Sequence, residues 1–441
     1  MNHPIYRYVR YRTLLCLDGP MARLKTDTLK PGMILAEDLK HSNGRFLLAK
    51  GVKLELSHLR VFKIWGIEKV EIQDSSGGDP EETVEKIDPV VLQRAEKLTQ
   101  KKFSPANLDH PFLQEIFPIC TLRLARQMVQ EPGGGPSGKE TQEETPSRSE
   151  GATLSLPSEK QKNPEILVGD DISLASLPNI FFEISKVISD PRSSAIHIAD
   201  VISKDPNLSA KLLKIVNSAF YSFPSRIDTI SRAVMIVGSK QLSALALGTS
   251  VISIFQDIPS DLVDMKSFWE HSLSCGIAAR ILASYKNIPN TERLFVAGLL
   301  HDIGRLILYK HLPHEEREIF LRTTQTNCLL HSAERDILGF DHAVIGGILL
   351  RRWKLPLILE HAVEYHHNPL GSHHPLEASI VYLADILTNA LGLGTSGERF
   401  VPPVAPEVWN DLDLPTEIFP KVIQLIDRQV EEVIQKFFDG D

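Results

Sequence analysis

The chain has 441 residues, 42% of them apolar and 24% charged, which is length for about three units of ordinary domain size with a buried core and excludes a disulfide-stapled mini-protein. Its 48 basic and 56 acidic side chains leave a net charge of −8, so there is no overall basic field to hold a phosphate backbone and no nucleic-acid partner is expected. Four cysteines, at 16, 120, 275 and 328, include no CxxC pair, which argues against a cysteine zinc site and for a reducing, cytoplasmic setting.

Residues 1–23 show no amphipathic period and are expected to be loose, with translation starting at Met1 or at Met21. Residues 24–73 predict a small β-rich module. Strands are read at 33–39 and 45–49 around Asn43-Gly44, a pair that tolerates the positive φ of a tight hairpin; a short helix follows from Ser57 to Trp65, and a last strand runs over 67–72. A helical segment spans 82–130, with helices at 88–101 and 110–130 and a break expected at Pro118. Residues 131–163, rich in Gly, Pro, Ser, Glu and Lys with few apolar side chains, predict a disordered linker.

From residue 164 onward the apolar spacing is helical. Ile180, Ile184, Val187 and Ile188 share one face; Asp205-Pro206 supplies a cap with proline at the first helical position; Leu208, Leu212 and Leu213 form the next stripe. Asn217, inside apolar text, is read as joining segments through backbone hydrogen bonds. The longest apolar stretch, 242–255, falls short of the ~20 residues that span a bilayer and is interrupted by Ser and Gly, so it predicts a buried helix and no membrane partner. A final amphipathic helix is predicted at 420–438 within a helical extension over 396–441. The fold class expected is mainly α: a helical bundle preceded by the β-rich module and the linker.

Eleven of the sixteen histidines lie between His271 and His374. Within that span occur, in order, His271, His301-Asp302, His342, His366-His367 and Asp385. Imidazoles and carboxylates are the ligands of iron, manganese, zinc and nickel, and a carboxylate can bridge two metals where a neutral imidazole cannot. Two neighbouring metals can activate water and hold a phosphate oxygen. No single residue of the set is specific, since neighbours on a helix point about 100° apart; the ordered set is what carries the signal.

Ala297-Gly298-Leu299-Leu300-His301-Asp302-Ile303-Gly304-Arg305, with His271 upstream and Asp385 downstream, resembles the HD superfamily of helical metal-dependent phosphohydrolases. Leu212-Leu213-Lys214-Ile215-Val216-Asn217-Ser218-Ala219-Phe220-Tyr221, then residues 230–238, Gly339-Phe340-Asp341-His342, Trp353-Lys354-Leu355-Pro356 and His366-His367-Asn368-Pro369 narrow the resemblance to the HDOD family, the HD-related output domains of bacterial signalling proteins. The resemblance places an HDOD domain at 164–395 with an HD-like subregion at 262–393. It implies that His271, His301, Asp302 and Asp385 hold one divalent metal, iron or manganese, and that His342, His366 and His367 hold a second, with Asp302 bridging.

Two departures from the catalytic HD-GYP relatives stand out. The Asp-Gly-x-Gly-Tyr-Pro loop is replaced by Asn368-Pro369-Leu370-Gly371-Ser372-His373-His374, and the lysine expected three residues after the His-Asp pair is Arg305, which could still meet a phosphate. The resemblance therefore implies a signal-transduction regulator acting through a protein partner. The alternative is a metal-dependent phosphohydrolase acting on a nucleotide or cyclic dinucleotide.

Overall fold

The computed structural model describes residues 21–25, 29, 32–36, 39–40, 46–48, 51–52, 54, 62, 69–73, 87–130, 163–169, 179–189, 194–218, 221, 223, 226–252, 255 and 258–438. The Asn43-Gly44 turn, nearly all of the 57–65 helix and the 131–162 stretch lie outside the described residues. The chain divides into two compact units, 1–92 and 93–441. No described helix is long and apolar enough to cross a membrane.

In the first unit β1 (Met21–Lys25) pairs antiparallel with β4 (Lys69–Gln73), and β2 (Leu39–Lys40) pairs with β3 (Phe46–Leu48). Leu35 bridges to Ile72, and Leu29, Leu35, Leu39, Leu54, Phe62, Val70 and Ile72 close a small apolar core. These short ladders do not support the β-rich module expected at 24–73. Among the described residues, isolated backbone bonds also join this core, such as Gly51 N to Leu35 O at 2.8 Å and Leu54 N to Met33 O at 2.7 Å.

The second unit is helical throughout its described residues. α1 (Pro89–Lys102) and α2 (Pro111–Gln130) lead into it, and α3 (Pro164–Leu167) comes next among the described residues. A first group then comprises α4 (Asn179–Ser189), α5 (Ala195–Ser203), α6 (Pro206–Val216), α7 (Ile230–Val237) and α8 (Ser239–Ile252). Asp205 caps α6 as its sequence predicts, accepting from Leu208 N at 3.0 Å with Pro206 at the first position. Asn217 ends that helix and clasps the chain ten residues on: its Nδ2 donates to Leu213 O (2.8 Å) and Ile227 O (2.7 Å), while its Oδ1 accepts from Ile227 N (2.7 Å). α8 carries the apolar stretch, and Leu242, Leu245, Ala246 and Val251 are buried.

The remaining helices are α9 (Met265–Tyr285), α10 (Glu292–Leu300), α11 (Ile303–His311), α12 (Pro313–Thr326), α13 (Leu330–Leu338), α14 (His342–Arg352), α15 (Leu357–Glu364), α16 (Pro375–Leu391), α17 (Pro406–Leu412) and α18 (Phe419–Phe438). α9 packs on α10, α16 and α18, and α14 packs on α11 and α15.

One expectation is corrected here. Helix α2 continues through Pro118: the proline removes one backbone bond, but Phe112, Leu113, Ile116 and Ile119 bury the same stretch on both sides and hold it helical. The two compact units divide at residue 92. α1 and α2 belong to the helical unit because their apolar and charged side chains find partners there. Phe112 meets Phe419 at 4.6 Å between ring centroids, Arg123 pairs with Asp427 at 2.6 Å, and Val401 N donates to Lys102 O at 2.9 Å. A site-specific protease sequence inserted after Glu140 and cleaved should therefore leave the two fragments co-eluting on size exclusion. Separate elution would show that these contacts do not hold the unit together.

Candidate metal centre

The site is assembled from three helices, α9, α14 and α16, and two breaks, the α10–α11 junction and the turn after α15. His271 lies in the middle of α9 and Asp385 in the middle of α16, facing each other with His271 Nε2 donating to Asp385 Oδ1 at 3.1 Å. His301 and Asp302 occupy the junction of α10 and α11, where Asp302 leaves helical geometry (φ −97°, ψ 9°). That break lets two sequence neighbours serve one pocket, with His301 Nε2 3.1 Å from Asp302 Oδ2. His366 and His367 sit in the turn after α15 with ring centroids 4.0 Å apart, and His342 is the first residue of α14, placed by the Asp341 cap that accepts from Val344 N.

All seven predicted residues converge. Asp302 is the hub: its Oδ2 faces His301 and, at 3.7 Å, His271, while its Oδ1 faces His342 Nε2 at 3.0 Å and His366 Nε2 at 3.8 Å. Asp385 Oδ1 closes the first half at 3.5 Å from His301 Nε2, and His367 Nε2 closes the second at 3.0 Å from His342 Nε2. Ligand atoms of His271, His301 and Asp302 lie within 4.8 Å of one another, as do those of His342, His366 and His367. Apart from the half-buried His367, the seven are no more than 8% exposed.

In three of the rings the outer nitrogen is already bonded, which fixes what the inner one can do. His301 Nδ1 donates to Gly298 O at 2.7 Å and His366 Nδ1 to Val363 O at 2.6 Å. His342 Nδ1 donates to Glu334 Oε2 at 2.6 Å, and the same oxygen accepts from His342 N at 2.8 Å. With Nδ1 as the donor, a neutral ring turns the Nε2 lone pair inward. His301 Nε2, His366 Nε2 and Asp302 Oδ2 are buried without a hydrogen-bond partner. Orphaned inner atoms behind anchored outer ones fit a metal-ligating set, with Glu334 in the outer-shell position that orients a ligand imidazole.

Glu334 was not among the residues picked from the sequence; it lies eight positions before His342 in a separate helix, and no spacing rule links them. Arg305 is not turned toward a phosphate. It is 2% exposed, with Nε donating to Asp302 Oδ1 at 3.0 Å and Nη1 3.7 Å from Glu334 Oε1, because two buried carboxylates demand a cation beside them.

The charges alternate through the cluster. Burial opposes ionisation of Asp302, but Arg305 and His301 hold its pKa well below the carboxylate range. Burial and Arg305 also oppose a charge on His342, yet Glu334 and Asp302 raise it to about 9; burial likewise opposes His301, which Asp302 raises well above its ordinary value. Burial, reinforced by His301 and His342, depresses His366 to about 3, and burial with His366 keeps His367 well below normal. Cations bound here would displace the protons of His301 and His342 and take over their pairing with Asp302.

A family model described as the HDOD domain matches residues 174–369, a segment that includes six of the seven residues and stops short of Asp385. An uncharacterized protein of Treponema pallidum is 29% identical over 203 residues, covering 45% of this chain and 38% of its own length. A Shewanella amazonensis protein named as a candidate phosphohydrolase shares the fold at a TM-score of 0.51 and 21% identity, over 62% of this chain and 98% of its own. A Geobacter sulfurreducens HDOD domain protein of unknown function aligns over 60% of this chain and 84% of its own, at a TM-score of 0.45 and 23% identity. With that segment matched and the His/Asp set gathered in its helices, the chain carries an HDOD domain over residues 174–369.

Proposed function

We propose that this protein is a cytoplasmic signal-transduction regulator whose HDOD unit acts by docking to a protein partner. Its His/Asp centre holds two divalent metals, iron or manganese, as a lock on the helical bundle rather than as a hydrolytic machine. His271, His301, Asp302 and Asp385 would hold one metal and His342, His366 and His367 the other. The input belongs to the 1–92 unit, and the 131–163 linker joins two parts of the output unit.

One observation carries this reading. The ligand set is complete but enclosed, and the cation that could have met a phosphate, Arg305, is buried against Asp302 and Glu334. The phosphohydrolase alternative draws support from the anchoring of His301, His342 and His366 through their outer nitrogens, an arrangement that also serves catalytic centres. A metal placed there would supply Lewis acidity; the chain's own part would be to orient the imidazoles and keep Asp302 ionised.

Purified protein reconstituted with iron or manganese under reducing conditions decides between the two. The expected result is two equivalents of metal by elemental analysis. Hydrolysis of cyclic dinucleotides and nucleoside phosphates should be no faster than that of a variant carrying both His301→Ala and Asp302→Ala. Turnover of any of them at ~1 per second or more, absent from a folded double variant, would install the phosphohydrolase reading instead.

A further inference from the structure

Of the three imidazoles in the second half of the centre, His367 is the one whose outer nitrogen has no anchor. His342 and His366 are each held from outside through Nδ1, by Glu334 Oε2 and by Val363 O. His367 meets His342 through Nε2 at 3.0 Å, and no hydrogen bond to its Nδ1 is present among the described residues. It is also half-buried where the other two are enclosed. A ligand imidazole is ordinarily fixed by a partner behind it, so this ring needs a contact of another kind.

His331 supplies that contact. It lies three positions before Glu334 on α13, so the two side chains share one helix face. Glu334 reaches His342, and His331 reaches His367, with ring centroids 4.1 Å apart and planes only 20° from parallel. The other neighbours of His367 meet it at steeper angles, His366 at 46° with centroids 4.0 Å apart and His342 at 84° with centroids 4.9 Å apart. His331 alone of the three lies flat on the ring. It stands beside the ligand group of His342, His366 and His367 rather than in it, and its own Nδ1 is buried with no hydrogen-bond partner. What the residue offers His367 is the face of its ring.

We infer that His331 is a positioning residue for the second metal, holding the His367 ring by stacking so that its Nε2 stays turned toward His342. The inference rests on the two-metal reading proposed above. α13 then supports both unequal partners of the second half, His342 through a hydrogen bond from a carboxylate and His367 through a flat aromatic contact. Stacked rings attract beyond the area they bury, and the attraction fixes their relative orientation. The contact requires a planar ring and no nitrogen, so phenylalanine should replace His331, whereas leucine, which fills similar space without a flat face, should not.

Full-length protein titrated with Mn²⁺ by equilibrium dialysis tests this in three forms: wild type, His331→Leu and His331→Phe. The wild type should bind two equivalents. His331→Leu should keep the first at wild-type affinity and hold the second about tenfold more weakly, the low end of the effect of losing a partner behind a ligand imidazole; His331→Phe should restore it. Equal affinities in wild type and His331→Leu overturn the inference, as does a His331→Phe protein as weak as His331→Leu, because the flat ring would then not be what matters. Equal weakening of both equivalents in His331→Leu also overturns it, since the damage would be to the whole bundle. A wild type that takes up no Mn²⁺ refutes the two-metal reading itself. The stacking is read separately in metal-free, histidine-labelled protein, where the His367 ring proton resonances should move in His331→Leu; unmoved resonances would show that His331 does not hold that ring.

Discussion

Replacing Asp302 by alanine is expected to lower the stability of the metal-free protein by about 3–5 kcal/mol, read as a shift in the urea midpoint at unchanged m-value. The size follows from what is left behind. Loss of one ordinary hydrogen bond costs about 1 kcal/mol, but Asp302 is the counter-charge within 3.8 Å of His271, His301, His342, His366 and Arg305. The histidines can shed their protons to adapt; Arg305, 2% exposed, cannot, and would be left with Glu334 at 3.7 Å and the more distant charge of Glu398. Asp302→Asn separates shape from charge. It fills the same space, yet a neutral amide cannot bridge two cations, so its metal content should fall from two equivalents to none. An Asp302→Ala protein within 1 kcal/mol of the wild type would show that Asp302 is not the hub of the centre.

Gly304→Ala is expected to be as damaging, although it adds one methyl group to a helix. A Cβ at Gly304 would fall on the His342 carbonyl oxygen and lie 2.8 Å from Gly346 N, so α11 and α14 touch backbone to backbone at this point. Neither obstacle can rotate away. The helices must separate, which puts the cost at the upper end of overpacking, about 3 kcal/mol or more, and outweighs the gain of roughly 1 kcal/mol in helix propensity from replacing glycine by alanine. Because His342 begins α14, the same displacement should draw its Nε2 away from Asp302 and weaken metal retention in the second half of the centre. Thermal unfolding and metal content of the purified variant check both effects. A variant that melts with the wild type and keeps two metals would mean the interface relaxes without moving His342.

The same contact shows why the two kinds of information differ. The Gly304 position was visible as part of the motif Leu300-His301-Asp302-Ile303-Gly304-Arg305, but nothing in that string says that the glycine faces another helix's backbone. Features that depend on a residue and its neighbours within about a turn were legible: the Asp205-Pro206 start of α6, the Asn217 junction, the helical period from 164 onward, and the ordered His/Asp set with its HDOD resemblance. Each is local chemistry, a cap or a spacing, or a pattern that a family repeats in order.

What only the tertiary structure decided are matters of partnership. The sequence predicts a helix over 110–130, but only the fold shows Phe419 and Asp427 opposite Phe112 and Arg123 and the helix continuing through Pro118. Glu334 became a partner of His342, Arg305 turned from an expected phosphate contact to a buried counter-ion, and His331 came to stack on His367, all through packing across separate elements. The physical reason is common to all of them: periodicity and capping act over about four residues, whereas the charge balance of a buried site is settled by whichever side chains the helices bring together from far along the chain.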